Sequence, residues 1–277
     1  MKTSLYIAAI FAVVSFLSSC DQSDPPSFGR SGDVVFFSDY AWDVKHATTL
    51  QGPGPNMFSN NPDDIYVDNE GYLHMWINEH DGTWFSTEVV SQDTMGYGTY
   101  RFTVEGDFVN MPENITVGLF TWDNNTFFEH GNSEIDVELA KWGDADKQNT
   151  LQYAVQPVAF STFFEERVDN PDSTEQYLIG VSTHMFHWTD SLVTFKSYAG
   201  EVEAAEHLIA EWSFGLNNPP RVKQEGGNNS QPIVIPGPGS TTNARINYWL
   251  LPWVSPAPTD EMPHELIVRS FSYTPAE

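Results

Sequence analysis

The sequence holds a single cysteine, Cys20, so no intrachain disulfide can form and no cysteine-based zinc site can be built. Basic residues are scarce: 12 Lys and Arg stand against 38 Asp and Glu, a formal net charge of −26. A surface this acidic repels a phosphate backbone, which excludes DNA and RNA as partners. It counts, more weakly, against polyanionic substrates such as heavily sulfated glycans. Charged residues are only 18% of the chain while aromatics reach 14%, and that many large apolar rings argue against intrinsic disorder. The apolar run from Leu5 to Phe16 is too short to cross a bilayer as a stable helix. From about Val34 onward there is no repeat, no heptad pattern and no long 3.6-residue apolar face. The eight histidines show no His-x-x-x-His or comparable ligand spacing, and no cofactor is implied.

What is present begins with an address. Met1 and Lys2 followed by the apolar run read as a secretory signal. Leu17-Ser18-Ser19-Cys20 resembles the lipobox of bacterial lipoproteins, in which the cysteine is lipidated and becomes the new N-terminus. An ordinary signal cut near Ser19, with Cys20 incidental, is the alternative. The expected organisation is a signal over 1–19, a polar tether over 20–33 broken by Pro and Gly, and a folded domain over 34–277. That address describes an exported lipoprotein held in a bacterial membrane by its lipid, on the periplasmic or the cell-surface side. Without the leader about 255 residues remain, enough for one large β domain or two small ones.

The folded part reads as many short strands. Alternating runs include Leu73 to Ile77, Tyr97 to Val104, Thr116 to Trp122, Ser133 to Leu139, Leu151 to Val155, Ser191 to Phe195, Ile246 to Leu250 and Glu265 to Tyr273. Short strands at such spacing suggest an all-β sandwich or jelly roll. The one good stretch of helix formers, Gly200 to Trp212, is short. Asn217 to Asn243, rich in Gly, Pro and Asn, is too long for an ordinary hairpin loop, so it packs along the rim of a site or is mobile.

Ser133-Glu134-Ile135-Asp136-Val137-Glu138-Leu139 is the most informative segment. In a strand, residues i, i+2 and i+4 share a face, so Glu134, Asp136 and Glu138 line up while Ile135, Val137 and Leu139 point into the core. Three acids on one face repel one another unless solvent, a cation or a substrate uses them. The triplet alone is not specific: with 38 acids in 277 residues, about 0.7 such triplets arise by chance. A solvated strand face and a calcium site are its bland readings.

Glu-Ile-Asp-Val-Glu resembles the catalytic motif of glycoside hydrolase family 16, and its surroundings match in that family's order. Gly54-Pro55-Asn56-Met57-Phe58 resembles the Gly-Asn-Met-Phe stretch of bacterial lichenases. Thr87-Glu88-Val89 followed by Gly96-Tyr97-Gly98-Thr99-Tyr100 resembles its paired strands ending in Tyr-Gly-x-Tyr. Gly118 to Trp122, then His184 to Trp188 with Val193 to Phe195, and Asn247-Tyr248-Trp249 complete the series. Together they span about Val34 to Tyr273. The resemblance implies a concanavalin-like β jelly roll with a concave cleft for a polysaccharide.

It also implies a retaining hydrolase with Glu134 as nucleophile and Glu138 as general acid/base, and Asp136 orienting Glu134 and influencing which group holds their shared proton. Such carboxyls stand about 5–5.5 Å apart. Positions i and i+4 lie ~13 Å apart on a flat strand, so curvature and two long Glu side chains must close the gap. The motif has one residue between Asp136 and Glu138, as in lichenases and xyloglucan transglycosylases, rather than the bulged form of laminarinases, agarases and carrageenases. That favours a neutral β-glucan. Two lichenase features differ: Asn132-Ser133 stands where a Trp precedes the motif, and Val90 where an Arg follows Glu88 by two residues.

Expected sugar contacts are Asn56, Glu88, Trp122, Asn247 and Trp249, whose rings stack on pyranose faces and whose polar groups bind hydroxyls. Trp42, Trp188 and Trp212 are expected in the core. Gln152 and Gln156 lie on the next strand, either able to reach the cleft. No metal site is assigned; Asp144-Ala145-Asp146 reads as a solvated turn, with a structural calcium as the alternative. A glycan-binding lipoprotein that has lost turnover, and a transglycosylase, are the rival functions.

Overall fold

The computed structural model describes residues 29–158, 166–220 and 232–277. The signal, Cys20 and the tether as far as residue 28 lie outside the described residues. Two large antiparallel sheets make the fold. The first runs, in hydrogen-bonded order, β1 (Gly29–Ser31), β2 (Val34–Phe37), β3 (Tyr40–Val44), β9 (Thr87–Ser91), β18 (Asn243–Leu250), β11 (Ile115–Trp122), β12 (Ile135–Ala140), β13 (Leu151–Val155) and β14 (Val168–Asp169). The second runs β17 (Leu208–Gly215), β16 (Leu192–Ala199), β15 (Ile179–Trp188), β10 (Gly98–Asp107), β19 (His264–Pro275), β7 (Leu73–His80) and β6 (Ile65–Val67), with β8 (Thr83–Phe85) paired to β7. A hairpin of β4 (Ala47–Gln51) and β5 (Asn56–Phe58) stands apart.

Period-2 alternation decides which face of each strand meets the other sheet. Val35, Phe37 and Trp42 from the first strands, Val117 and Leu119 from β11, and Ile135, Val137 and Leu139 from β12 are fully buried in one core. They meet Phe102, Phe186, Phe195 and Phe271 of the second sheet. Ring contacts bridge the layers: Tyr153 stacks on Phe195 at 4.9 Å, and Trp42 meets the edge of Phe271 at 5.0 Å. Trp42 and Trp188 are fully buried as expected, and Trp212 packs half-buried against the same core. The fold is the all-β jelly roll expected from the strand pattern.

Two boundaries differ from the sequence expectation. The tether does not run to residue 33, because Gly29–Ser31 already pairs with Val34–Phe37. Arg30 anchors this start: its guanidinium donates to the carbonyl oxygens of Ile65 at 2.6 Å and Asn60 at 2.5 Å. The helix formers of Gly200 to Trp212 yield one 3-10 turn, Ala205–His207, and then strand β17. Pairing with β16, which stacks Trp212 on Phe195 at 5.4 Å, outweighs a weak local propensity.

Candidate active site

The outward face of the first sheet carries a cleft of about 670 Å³. Its floor follows from strand register. On β12 the acids Asp136 and Glu138, with Glu134 just ahead of the strand, face the cleft, while Ile135, Val137 and Leu139 are fully buried behind them. Gly118 of β11 sits directly between Glu138 and Asn247, and Asn247 in turn faces Glu88 across β18 and β9. A Cβ on Gly118 would lie 2.4 Å from Asn247 Oδ1, so only glycine lets the amide lie across β11. The Asn247 Oδ1 atom is buried against Gly118 and has no hydrogen-bond partner among the described residues.

Two amides order the acidic row. Gln152, paired with Glu138 on β13, donates from Nε2 to Glu138 Oε2 at 2.7 Å. Gln156, just past the same strand, donates from Nε2 to Asp136 Oδ2 at 3.0 Å. Both glutamines therefore reach the row, each serving a different acid. Glu134 and Asp136 are close enough that a proton on Glu134 is favoured by Asp136 beside it. Burial raises Glu134 well above the usual carboxylate range, with Asp136 and Glu138 adding repulsion and Arg245 opposing it. Burial pushes Asp136 up to about 7, against the hydrogen bonds from Gln156 and Glu134 that pull it down. Glu138 rises to about 8 through burial and the neighbouring Asp136, with Gln152 and Lys147 opposing. Like charges this close cannot all ionise, so at neutral pH the row holds at least one proton for transfer.

Four of the five expected sugar contacts line the cleft: Glu88, Trp122, Asn247 and Trp249. Asn56 does not line it. Its Nδ2 donates to the carbonyl oxygens of Pro53 and Leu250, both at 2.8 Å, which fastens the β4–β5 hairpin to the end of β18. The hairpin instead contributes Gln51, Gly52 and Pro53 to the wall. Trp249 is only 6% exposed, with the rings of Trp142 and Trp253 packed against it at 6.3 and 6.2 Å, so it forms wall more than platform. Glu88 is 1% exposed and ion-paired to Lys45 at 2.9 Å and to Arg245 at 3.3 Å, which commits its charge to holding those cations.

Sequence reasoning missed Lys45 and Arg245. Arg245 lies two residues before Asn247, so alternation from that asparagine would have found it. Among the described residues, none of those lining the cleft comes from the segment Asn217 to Asn243; in its described portion Gly237 accepts from Ser133 Oγ at 2.7 Å, next in sequence to Glu134. Asp123, below the usual carboxylate range because hydrogen bonds from Asn125, Thr241 and Thr242 outweigh burial, clamps its end. Asp144 and Asp146 form a turn closed by the Asp146 amide on Asp144 Oδ1 at 3.0 Å. Among the described residues no group of three or more His, Cys, Asp or Glu has metal-site geometry.

No family model matches the sequence, and no curated protein matches it. Solved structures do match in fold. A β-glucanase of Bacillus licheniformis superposes with a TM-score of 0.54 at 13% identity, over 89% of this chain and 94% of that one. A non-specific endo-β-1,3(4)-glucanase from family GH16, co-crystallised with an oligosaccharide, gives 0.53 at 11% identity over 84% and 86%. An immunostimulatory antigen and pseudo β-1,3-glucanase of Mycobacterium tuberculosis gives 0.57 at 13% identity over 85% and 91%. At such identity the likeness speaks for architecture alone: this chain has the jelly-roll fold of the family 16 β-glucanases.

Proposed function

We propose that this chain is a retaining, endo-acting hydrolase of β-glycosidic bonds in a polysaccharide, with a neutral β-glucan as substrate. The observation that carries the reading is the row Glu134, Asp136 and Glu138 on the floor of the cleft, with Gln152 and Gln156 each fixing one acid. Glu134 attacks the anomeric carbon and forms a glycosyl ester, while Glu138 gives its proton to the departing sugar oxygen. Glu138, now ionised, takes a proton from water, whose oxygen attacks the anomeric carbon and frees Glu134. Asp136, beside Glu134, releases the nucleophile as charge leaves it. Support for a neutral glucan comes from the net charge of −26 and the unbulged motif spacing. Endo action is in keeping with the non-specific endo-β-1,3(4)-glucanase among the structural neighbours.

The test is the anomeric configuration of the first product, read by proton NMR during turnover. The β-anomer appearing first supports double displacement; the α-anomer overturns it. Acceptor oligosaccharides added to the same reaction separate hydrolysis from transglycosylation, since both pass through the ester. A glycan-binding protein without turnover is the second reading, favoured by Asn132-Ser133 and Val90 standing where lichenases carry Trp and Arg.

We also propose that Cys20 carries a lipid that holds the protein in a bacterial membrane, on the strength of Leu17-Ser18-Ser19-Cys20. The full chain should then enter the detergent phase on phase separation and Cys20→Ala should not; an aqueous full chain contradicts the anchor.

A further inference from the structure

Glu134 stands among like charges, with Asp136 and Glu138 from the strand that follows it, and Lys147 acts on Glu138 rather than on Glu134. Arg245 of β18 lines the same cleft and opposes those charges at Glu134, more weakly than burial and the two acids raise its pKa. Register places Arg245 in line with Phe120 and Asp136 across β11, so its side chain emerges on the same cleft floor. Its guanidinium is held on several sides. Nη1 lies 3.3 Å from Glu88 Oε1, Nε donates to Asn243 Oδ1 at 3.0 Å, and the carbon sits over the Trp122 ring at 5.6 Å. Asp123, farther off, adds attraction, and Asp43 of β3 lines the same cleft with Gln92 on its carboxylate.

Neutralising Glu88 does not require this arginine. Lys45 already meets Glu88 at 2.9 Å, the shorter of the two contacts. Two cations share Glu88, so that carboxylate alone does not cancel the charge of Arg245. The arginine is 13% exposed and pinned by an aromatic face, a place chosen for a fixed charge rather than for a solvated one. We infer that Arg245 is a positioning residue, supplying from the wall of the cleft the positive charge that holds the Glu134 carboxylate ready for attack. The inference rests on the proposed hydrolytic reading. It goes beyond it by naming a residue from outside the acidic row, on the strand opposite Val90.

The test compares wild type with Arg245→Gln, Arg245→Lys and the exchange Val90→Arg with Arg245→Val, which returns a guanidinium from the facing position. Two readouts are taken on the full chain: the pH profile of kcat/KM on whichever glucan wild type cleaves, and the Glu134 carboxyl titration by 13C NMR. In Arg245→Gln both the acidic limb and the Glu134 midpoint should rise by about one pH unit, near tenfold in proton affinity. Arg245→Lys and the exchange should bring them back toward wild type. If Arg245→Gln does not fold, Val90→Arg in wild type should lower the midpoint by adding a second charge. A Glu134 midpoint unmoved in a folded variant overturns the role of Arg245. Absence of turnover in wild type overturns the hydrolase reading, while the titration still decides whether Arg245 controls Glu134.

Discussion

Gln152 and Glu138 occupy paired positions on neighbouring strands, and the amide Nε2 donates to Glu138 Oε2 at 2.7 Å. The contact stabilises the ionised form of a group that burial and Asp136 push up to about 8. Gln152→Leu removes that donor, so the ionised form loses support and the pKa rises further. The basic limb of kcat/KM, where the general acid loses its proton, should move up by about half to one pH unit. A pH–rate profile checks it, and a limb moving down would contradict Glu138 as the acid.

The same elevation has a consequence for stability. A carboxyl whose folded pKa lies above its unfolded value near 4.5 makes the folded state bind more protons than the unfolded one. Its stabilising share is full below about pH 4.5 and is lost as pH rises toward 8. Glu138→Gln should therefore fold more stably than wild type at pH 7, by about 1–2 kcal/mol after allowance for solvent screening, and match it at pH 4. Urea unfolding at the two pH values measures the difference. Equal stability at both would mean that Glu138 titrates as an ordinary surface acid.

Gly118 lies under the Asn247 amide, where a Cβ would stand 2.4 Å from Oδ1. Gly118→Ala must push that amide off the cleft floor, between Glu88 and Glu138. The expected result is a fall of about tenfold or more in kcat/KM, with a stability loss of about 1–3 kcal/mol from overpacking. Kinetics beside a thermal melt separate the two, and unchanged kinetics would remove Asn247 from substrate binding.

Much of this was legible in the sequence because a strand's face is fixed by counting. Ile135, Val137 and Leu139 inward and Glu134, Asp136 and Glu138 outward follow from a period of two, and the structure keeps that assignment. Lateral neighbours are another matter. That Arg245 faces Val90, or that Gln152 and Gln156 serve different acids, depends on register between strands far apart in the chain, which no local pattern carries. Asn56 was misplaced for a related reason: its amide meets the carbonyl of Leu250, 194 residues away. The strand at Leu208–Gly215 escaped notice because helix-forming composition is a weak prior beside pairing with an existing sheet edge.

The central claim is that Glu134 forms the bond to the sugar, and the most direct measurement is reducing-end release by purified protein without its leader. The panel comprises mixed-linkage glucan, laminarin, xyloglucan, agarose and carrageenan, each beside Glu134→Gln of confirmed fold. The account predicts release from a neutral β-glucan by wild type and a loss of at least about a thousandfold in the variant. Wild-type rates in Glu134→Gln would contradict it, as would silence across the panel from a folded wild-type protein.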